Sequence, residues 1–271
     1  MQPLTLVPLP DIPLIRQGDN LADIVVNALK ANKLEIKDND ILVLTSKIVS
    51  KAEGRIVNLE TISPSLRANE LAEQTEKDPR LVELILRESR ELLRFRPGAI
   101  IVRHNLGFVC ANAGIDHSNV MGQEPDKDPG GGVKSQSSNL EQNNWVLLLP
   151  EDPDKSATEI RLEIEQKIDR KIGVMIIDSH GRPWRLGTVG TCVGLSGIPA
   201  IIDERGWKDL FGNTLQVTVV GVADELAAAG SLVMGQAAEA TPVVLVRGFP
   251  YPLANATMKD LLRPPEQDLF Q

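Results

Sequence analysis

Cysteine is scarce. The 271 residues hold two, Cys110 and Cys192. They are far apart and outside any CxxC pair, which excludes a disulfide framework and a cysteine zinc site. No apolar run approaches the ~18 residues needed to cross a bilayer. The opening MQPLTLVPLPDIPLI is apolar but broken by four prolines and has no basic stretch. It reads as neither signal peptide nor anchor. An excess of positive charge is also missing. Lys and Arg number 29 against 37 Asp and Glu, a formal net charge of -8. That argues against nucleic acid or an anionic membrane as the main partner. The GxGxxG, GxSxG and HExxH motifs are absent, as is any internal repeat. Gly130–Ser135 is glycine-rich but fails the P-loop spacing and follows no apolar strand.

What is present is an ordinary globular composition, 42% apolar and 24% charged, for which a cytoplasmic protein is the simplest reading. Gly173–Ile177 is a short, β-branched apolar run that reads as a buried strand ending on Asp178, with Ser179, His180 and Gly181 making the turn. Arg182 and Arg185 follow. An acid, a hydroxyl and two guanidiniums suit a metal and a phosphorylated ligand. They equally suit a salt-bridged turn. Asp40–Leu44 is a second strand, opening into Thr45–Arg55, dense in hydroxyls and cations. That stretch either handles phosphate oxygens or is a polar turn between strands. A third apolar strand, Phe108–Ala111, runs out into Asn112–Asn119, which holds Asp116 and His117.

Leu4–Pro8, Ala99–Val102, Trp145–Leu149, Ile198–Asp203, Gln216–Val222 and Pro242–Arg247 read as further strands. Helices are expected after the cap Gly18–Asn20 and the cap Ser63, after Asp78 with Leu92 and Leu93 still in phase, after Asp154 or Ser156, and over Ala223–Met234. Small residues in this last helix allow a close approach, as at a subunit contact. Strands and helices mix without βαβ alternation, so the expected class is α+β: mixed sheets with packed helices, neither Rossmann nor P-loop. Residues 1–250 form the main module, read as two interleaved subdomains. Residues 121–144, polar and Gly-rich, read as a mobile insertion. Residues 251–271 read as a partly ordered tail.

Six blocks in register go further: Thr45–Arg55 (TSKIVSKAEGR), Asn112–Asn119 (NAGIDHSN), Leu148–Asp154 (LLPEDPD), Ile177–Arg185 (IDSHGRPWR), Val222–Ala227 (VADELA) and Leu232–Gln236 (LVMGQ). In that order they resemble the coenzyme F-420 γ-glutamyl ligase family, over residues 5 to 248. That family attaches L-glutamate to the deazaflavin coenzyme F-420 precursor with GTP.

The resemblance implies a homodimer, two divalent ions per site (Mg²⁺ or Mn²⁺) and a K⁺ dependence. It implies metal ligands at Asp116, Asp178, Ser179 and Gln236. The family commonly has Thr at the place of Ser179, and some relatives have Glu at the place of Gln236. Nucleotide contacts are implied at Ile12, Pro13, Leu14, Ile15, Ser46, Lys51 and Asn119. The segment Met234, Gly235, Gln236, Ala237, Ala238, Glu239, Ala240, Thr241 is expected to close over the nucleotide. Lys51 and Arg182 are candidate catalytic cations, with Arg185 beside them. The insertion is longer than the family pattern leads one to expect. Two other readings stay open: the same metal and GTP chemistry on a different phosphorylated carboxylate, and a nucleotide-binding regulator without ligase activity.

Overall fold

The apolar run Ile41–Leu44 offers no polar face, so it has to lie in a sheet covered on both sides. The computed structural model, which describes residues 3–118, 120 and 144–269, places it there, with all four side chains fully buried. In chain order the elements are β1 (Thr5–Pro8), α1 (Leu21–Ala31), β2 (Ile41–Thr45), α2 (Ser46–Ala52), β3 (Ile56–Asn58), α3 (Leu66–Thr75), α4 (Pro79–Arg87), β4 (Ser89–Arg96), β5 (Ala99–His104), β6 (Val109–Ala111) and β7 (Trp145–Leu147). They continue with α5 (Pro153–Ile168), β8 (Gly173–Arg182), β9 (Arg185–Ser196), β10 (Ile202–Asp203), β11 (Val219–Val220), α6 (Val222–Met234) and β12 (Val243–Arg247). Mixed sheets with packed helices make this an α+β fold, and its strand order is not that of a Rossmann or P-loop sheet.

The chain forms two compact units. The first takes Met1–Leu14, Asn20–Val49 and Asp152–Gln271; the second takes Ile15–Asp19 and Ser50–Glu151. In the first, a five-stranded sheet runs in the order β1-β12-β2-β8-β9. β2 and β8 are parallel and the other pairs antiparallel. Helix α6 joins Met175, Ile177 and Cys192 of the sheet in one core through Ala223, Leu226 and Ala227. Helix α5 packs on β8 and β9, and α1 on α5. Asn20 caps α1 by accepting from the Asp23 N–H, and Asp152 caps α5 by accepting from that of Lys155. Pro153 sits just inside α5, where its missing N–H costs nothing. Each cap contributes about 1 kcal/mol.

In the second unit, β4-β5-β6 form one antiparallel sheet and β3-β7 a two-stranded one. Helices α3 and α4 close a core of Ala68, Leu71, Val82, Ile85, Ile100 and Val102. A cavity of about 470 Å³ lies between α3, α4 and β4. None of the candidate catalytic, nucleotide or metal residues lines it.

Several local readings change. Thr45–Arg55 is not a polar turn between strands. It folds as α2 because Ile48 and Val49 are buried together with Ser46 and Ser50. Helix α4 stops at Arg87, and Leu92 and Leu93 belong to β4, where pairing with β5 overrides their helical spacing. The α3 cap is Ser65, not Ser63, and the α5 cap is Asp152. Asp154 instead accepts from the N–H groups of Leu195 and Met258. That contact belongs to the tail, where Met258 is buried. Within Gln216–Val222 only Val219–Val220 is strand, and Val222 already opens α6. The small residues of α6 serve its own sheet. Gly230 lies over Val43, and a Cβ on Gly190 of β9 would stand 2.5 Å from the Ala227 carbonyl oxygen. Only glycine at 190 lets helix and strand approach that closely. Residues 121–143 of the expected insertion lie outside the described residues.

Candidate active site

The parallel pair β2–β8 ends at Thr45 opposite Ile177. The carboxyl end of parallel strands is where α/β sheets commonly bind ligands. β8 does not stop there. It continues to Arg182, paired only with β9, so Asp178 lies inside a long hairpin opposite Thr191 rather than at a strand end. Asp178 and His180 alternate onto one face and Ser179 points to the other, and a register shift between Gly181 and Arg182 breaks the alternation before Arg182.

Three groups converge on Asp178. The Ser46 hydroxyl donates to Oδ1 at 2.9 Å. His180 Nε2 lies 3.1 Å from Oδ2. Lys47 adds positive charge nearby. Burial opposes ionisation of Asp178, yet His180, the Ser46 hydroxyl and Lys47 together hold its carboxyl below the usual range. It is therefore a stable carboxylate at neutral pH. An apolar run that stops at an acid reads as a strand end, and that hides His180 in the sequence. The two-residue alternation from Asp178 was the signal that could have found it.

On the opposite face, the Ser179 hydroxyl donates to Gln236 Oε1 at 2.8 Å. Gln236 Nε2 in turn donates to Ser231 Oγ on α6 at 2.9 Å. The Ser231 bond fixes which way the amide points. The hydroxyl hydrogen of Ser179 is committed to Gln236, which leaves its oxygen lone pairs directed elsewhere. Residues 235–241 form a tight loop. Gly235 is left-handed (φ +75°), Glu239 accepts from the Ala237 N–H, and Thr241 Oγ1 donates back to the Met234 carbonyl. Pro242 O then accepts from the Thr45 N–H, tying the loop exit to the end of β2. Leu9 N–H bonds to Val243 O at the same edge, so Pro10 to Leu14 leave the sheet there too.

Sequence-predicted residues thus gather unevenly. Ser46 meets Asp178 and Ser179 meets Gln236, on opposite faces of β8 in the first unit. Ile12, Pro13 and Leu14 and the loop from Met234 to Thr241 leave the sheet at the end of β2. Arg182 and Arg185 do not brace Asp178. They face each other at the hairpin's free end, where both are exposed. Four residues of strand, roughly 13 Å, separate Arg182 from Asp178.

Ile15, Lys51 and Asp116 belong to the second unit. Lys51 lies half-buried in the last turn of α2, and burial lowers its pKa. Asp116 forms a backbone bridge to Leu147, and its Oδ1 accepts from the Ser118 N–H at 2.6 Å. Three successive left-handed residues, Asn112, Ala113 and Gly114, aim the chain into it. Asn119 lies outside the described residues.

Among the described residues, no three His, Cys, Asp or Glu side chains form a metal cage. The candidate donors on the two faces of β8 are one carboxylate, hydroxyls and an amide oxygen. That hard-oxygen set fits Mg²⁺ or Mn²⁺ of the kind held by one or two carboxylates plus substrate phosphates.

Comparison with known proteins gives one answer. The sequence model of the family described as F420-0:Gamma-glutamyl ligase matches residues 11–248. A protein of Methanothermobacter thermautotrophicus named Coenzyme F420:L-glutamate ligase is 43% identical over 270 residues, covering 99% of both chains. One of the same name from Methanopyrus kandleri is 40% identical over 272 residues, covering 99% of this chain and 98% of the other. A third, from Methanocaldococcus jannaschii, is 40% identical over 263 residues, covering 96% and 94%. With a family match over most of its length and relatives aligned almost end to end, the chain belongs to the F420-0:gamma-glutamyl ligase family.

Proposed function

We propose that the protein is a GTP-dependent ligase that joins L-glutamate to the deazaflavin coenzyme F-420 precursor. The coarser statement, a coenzyme F-420:L-glutamate ligase, follows from its family and its named relatives. The observation that carries the reading is the set of oxygen donors at the carboxyl edge of β2 and β8, with Asp178 held ionised among them.

A free carboxylate is a poor electrophile, so amide formation needs activation. The acceptor carboxylate oxygen attacks the γ-phosphorus of GTP. The bond to the β–γ bridging oxygen breaks, and GDP leaves. The glutamate amine then attacks the acyl phosphate carbon. The C–O bond breaks, inorganic phosphate leaves, and the amine's proton passes to phosphate or water. Triphosphate, two carboxylates and the acceptor's phosphodiester must converge. Bound between protein side chains and the phosphates, two divalent ions, Mg²⁺ or Mn²⁺, with K⁺, would supply charge neutralisation and alignment for the in-line transfer.

Asp178, Ser179, Gln236 and Asp116 are the residues proposed to hold the divalent ions. Asp178 supplies a charged oxygen, and Ser179 a neutral one whose hydrogen is already placed on Gln236. Ser46 keeps one Asp178 oxygen oriented. Lys51 and Arg182 supply cations for substrate oxygens. Ile12 to Ile15, Ser46, Lys51, Asn119 and the loop from Met234 to Thr241 take the nucleotide. A homodimer is part of the proposal. Trp207, Leu210, Phe211 and Val217 are exposed along the chain around β10–β11, and a two-stranded ribbon of this kind is marginal in water alone.

The test supplies GTP, L-glutamate, divalent ion and the deazaflavin precursor, and reads product mass. A gain of one glutamyl unit with matching GDP release is expected. GTP hydrolysis or binding with no glutamyl product would overturn the reading.

A further inference from the structure

The chain is poor in aromatics, with 3 Trp, 1 Tyr and 5 Phe. One of the three tryptophans, Trp184, is 89% exposed. It also adopts a left-handed backbone conformation, φ +63°, which a bulky residue rarely takes without a reason. Pro183 and Trp184 turn the β8–β9 hairpin. On either side of them Arg182 and Arg185 stand directly opposite each other, an arrangement that repels. Neither arginine makes an ion pair among the described residues. Leu186 is 98% exposed, and a Cβ placed on Gly181 or Gly187 would meet nothing within 4 Å. The hairpin end is therefore an uncovered indole between two uncompensated guanidiniums, with open space along both strands.

We propose that this hairpin end is the acceptor-recognition element of the ligase, with Trp184 stacking on the fused ring and Arg182 and Arg185 taking the phosphodiester. The inference rests on the acceptor being the deazaflavin precursor. An indole face suits a large planar ring, and paired guanidiniums suit a phosphate. The acceptor carries the ring at one end and the reacting carboxylate at the other, with the phosphodiester between. The hairpin has the matching order: Asp178 at its root and, roughly 13 Å further along four residues of strand, the arginines and then the indole. The same chemistry, a planar ring joined to phosphate, is present in GTP. The acceptor is favoured by topology. The nucleotide segments leave from β1, β2 and β12, whereas the hairpin closes the other side of the sheet order.

The experiment measures KM and kcat for acceptor and GTP separately, and acceptor binding by its own fluorescence without glutamate. It compares wild type, Trp184→Ala, Trp184→Phe and Arg182→Ala, with Leu66→Ala as an exposed apolar control. Melting curves and sedimentation accompany each variant. Trp184→Ala is expected to raise acceptor KM and dissociation constant about tenfold, with GTP KM within about twofold. Trp184→Phe should recover most of the loss, and Leu66→Ala should match wild type. Unchanged acceptor binding in Trp184→Ala would overturn the inference, as would a rise confined to GTP KM, which would assign the indole to guanine. So would a change in subunit mass with unchanged KM, which would make the tip a subunit contact. The two claims fail separately. Wild-type protein that adds no glutamate to the acceptor removes the functional reading, whereas normal wild-type activity with an indifferent Trp184 removes only this inference.

Discussion

Asp178 and Asp116 look alike in the sequence, each an acid just beyond an apolar strand. The structure holds them by different means. Asp178 sits in a continuous antiparallel pairing, and its two oxygens answer to side chains, Ser46 and His180. Asp116 follows a left-handed turn and answers to the backbone, through the Ser118 N–H and the bridge to Leu147. A carboxylate gripped by side chains is set by packing, whereas one gripped by backbone is set by the turn before it. The two acids can serve the same chemistry while depending on different parts of the chain.

The strongest way to break this comparison is to remove each acid. Asp178→Ala and Asp116→Ala are both expected to lower GTP-dependent glutamyl transfer about a thousandfold. Near-normal turnover in either would remove that residue from the site. Stability should separate them. Asp178→Ala leaves His180 without its carboxylate and should cost about 2–3 kcal/mol, against about 1 kcal/mol for Asp116→Ala, by chemical denaturation.

A second expectation concerns the packing behind Asp178. Gly190→Ala would drive a methyl against the Ala227 carbonyl and the Ser231 side chain. A loss of about 1–3 kcal/mol is expected, as for other overpacked positions. An unchanged melting temperature would show that α6 does not press on β9 as described.

Ser231→Ala touches neither acid. It frees the Gln236 amide, so Mn²⁺ affinity should fall about tenfold, the size of effect seen when an orienting partner is lost. Equal affinity would mean that the Ser179–Gln236 pair needs no support. The smallest effect is expected before Asp116. Ala113 is left-handed at φ +53°, and relief of that strain offsets the backbone entropy of glycine. Ala113→Gly should therefore stay within about 0.5 kcal/mol of wild type.

The sequence made the strands at Ile41–Leu44 and Gly173–Ile177 readable because buried strands are unbroken apolar runs. The capping stretch Gly18–Asn20 was readable because short polar side chains compete for helix N–H groups, and in the structure Asn20 is the cap. Helix α2 was not, since Ser46, Lys47, Ser50 and Lys51 hide the buried Ile48 and Val49. Leu92 and Leu93 keep helical spacing, and only distant pairing with β5 makes them strand. Ser179 and Gln236 are 57 positions apart. No local pattern announces such a pair, and Gln236 was found through resemblance alone. His180 was hidden by the assumption that an acid ends a strand, when β9 carries the pairing past it.

The most direct test of the account is an Mn²⁺ titration of the folded protein by electron paramagnetic resonance, with GTP present and acceptor absent. Wild type, Asp178→Asn and Asp116→Asn are compared. The account predicts that Asp178→Asn weakens Mn²⁺ binding at least about tenfold while the circular dichroism spectrum is unchanged. Wild-type Mn²⁺ affinity in a folded Asp178→Asn protein would contradict it.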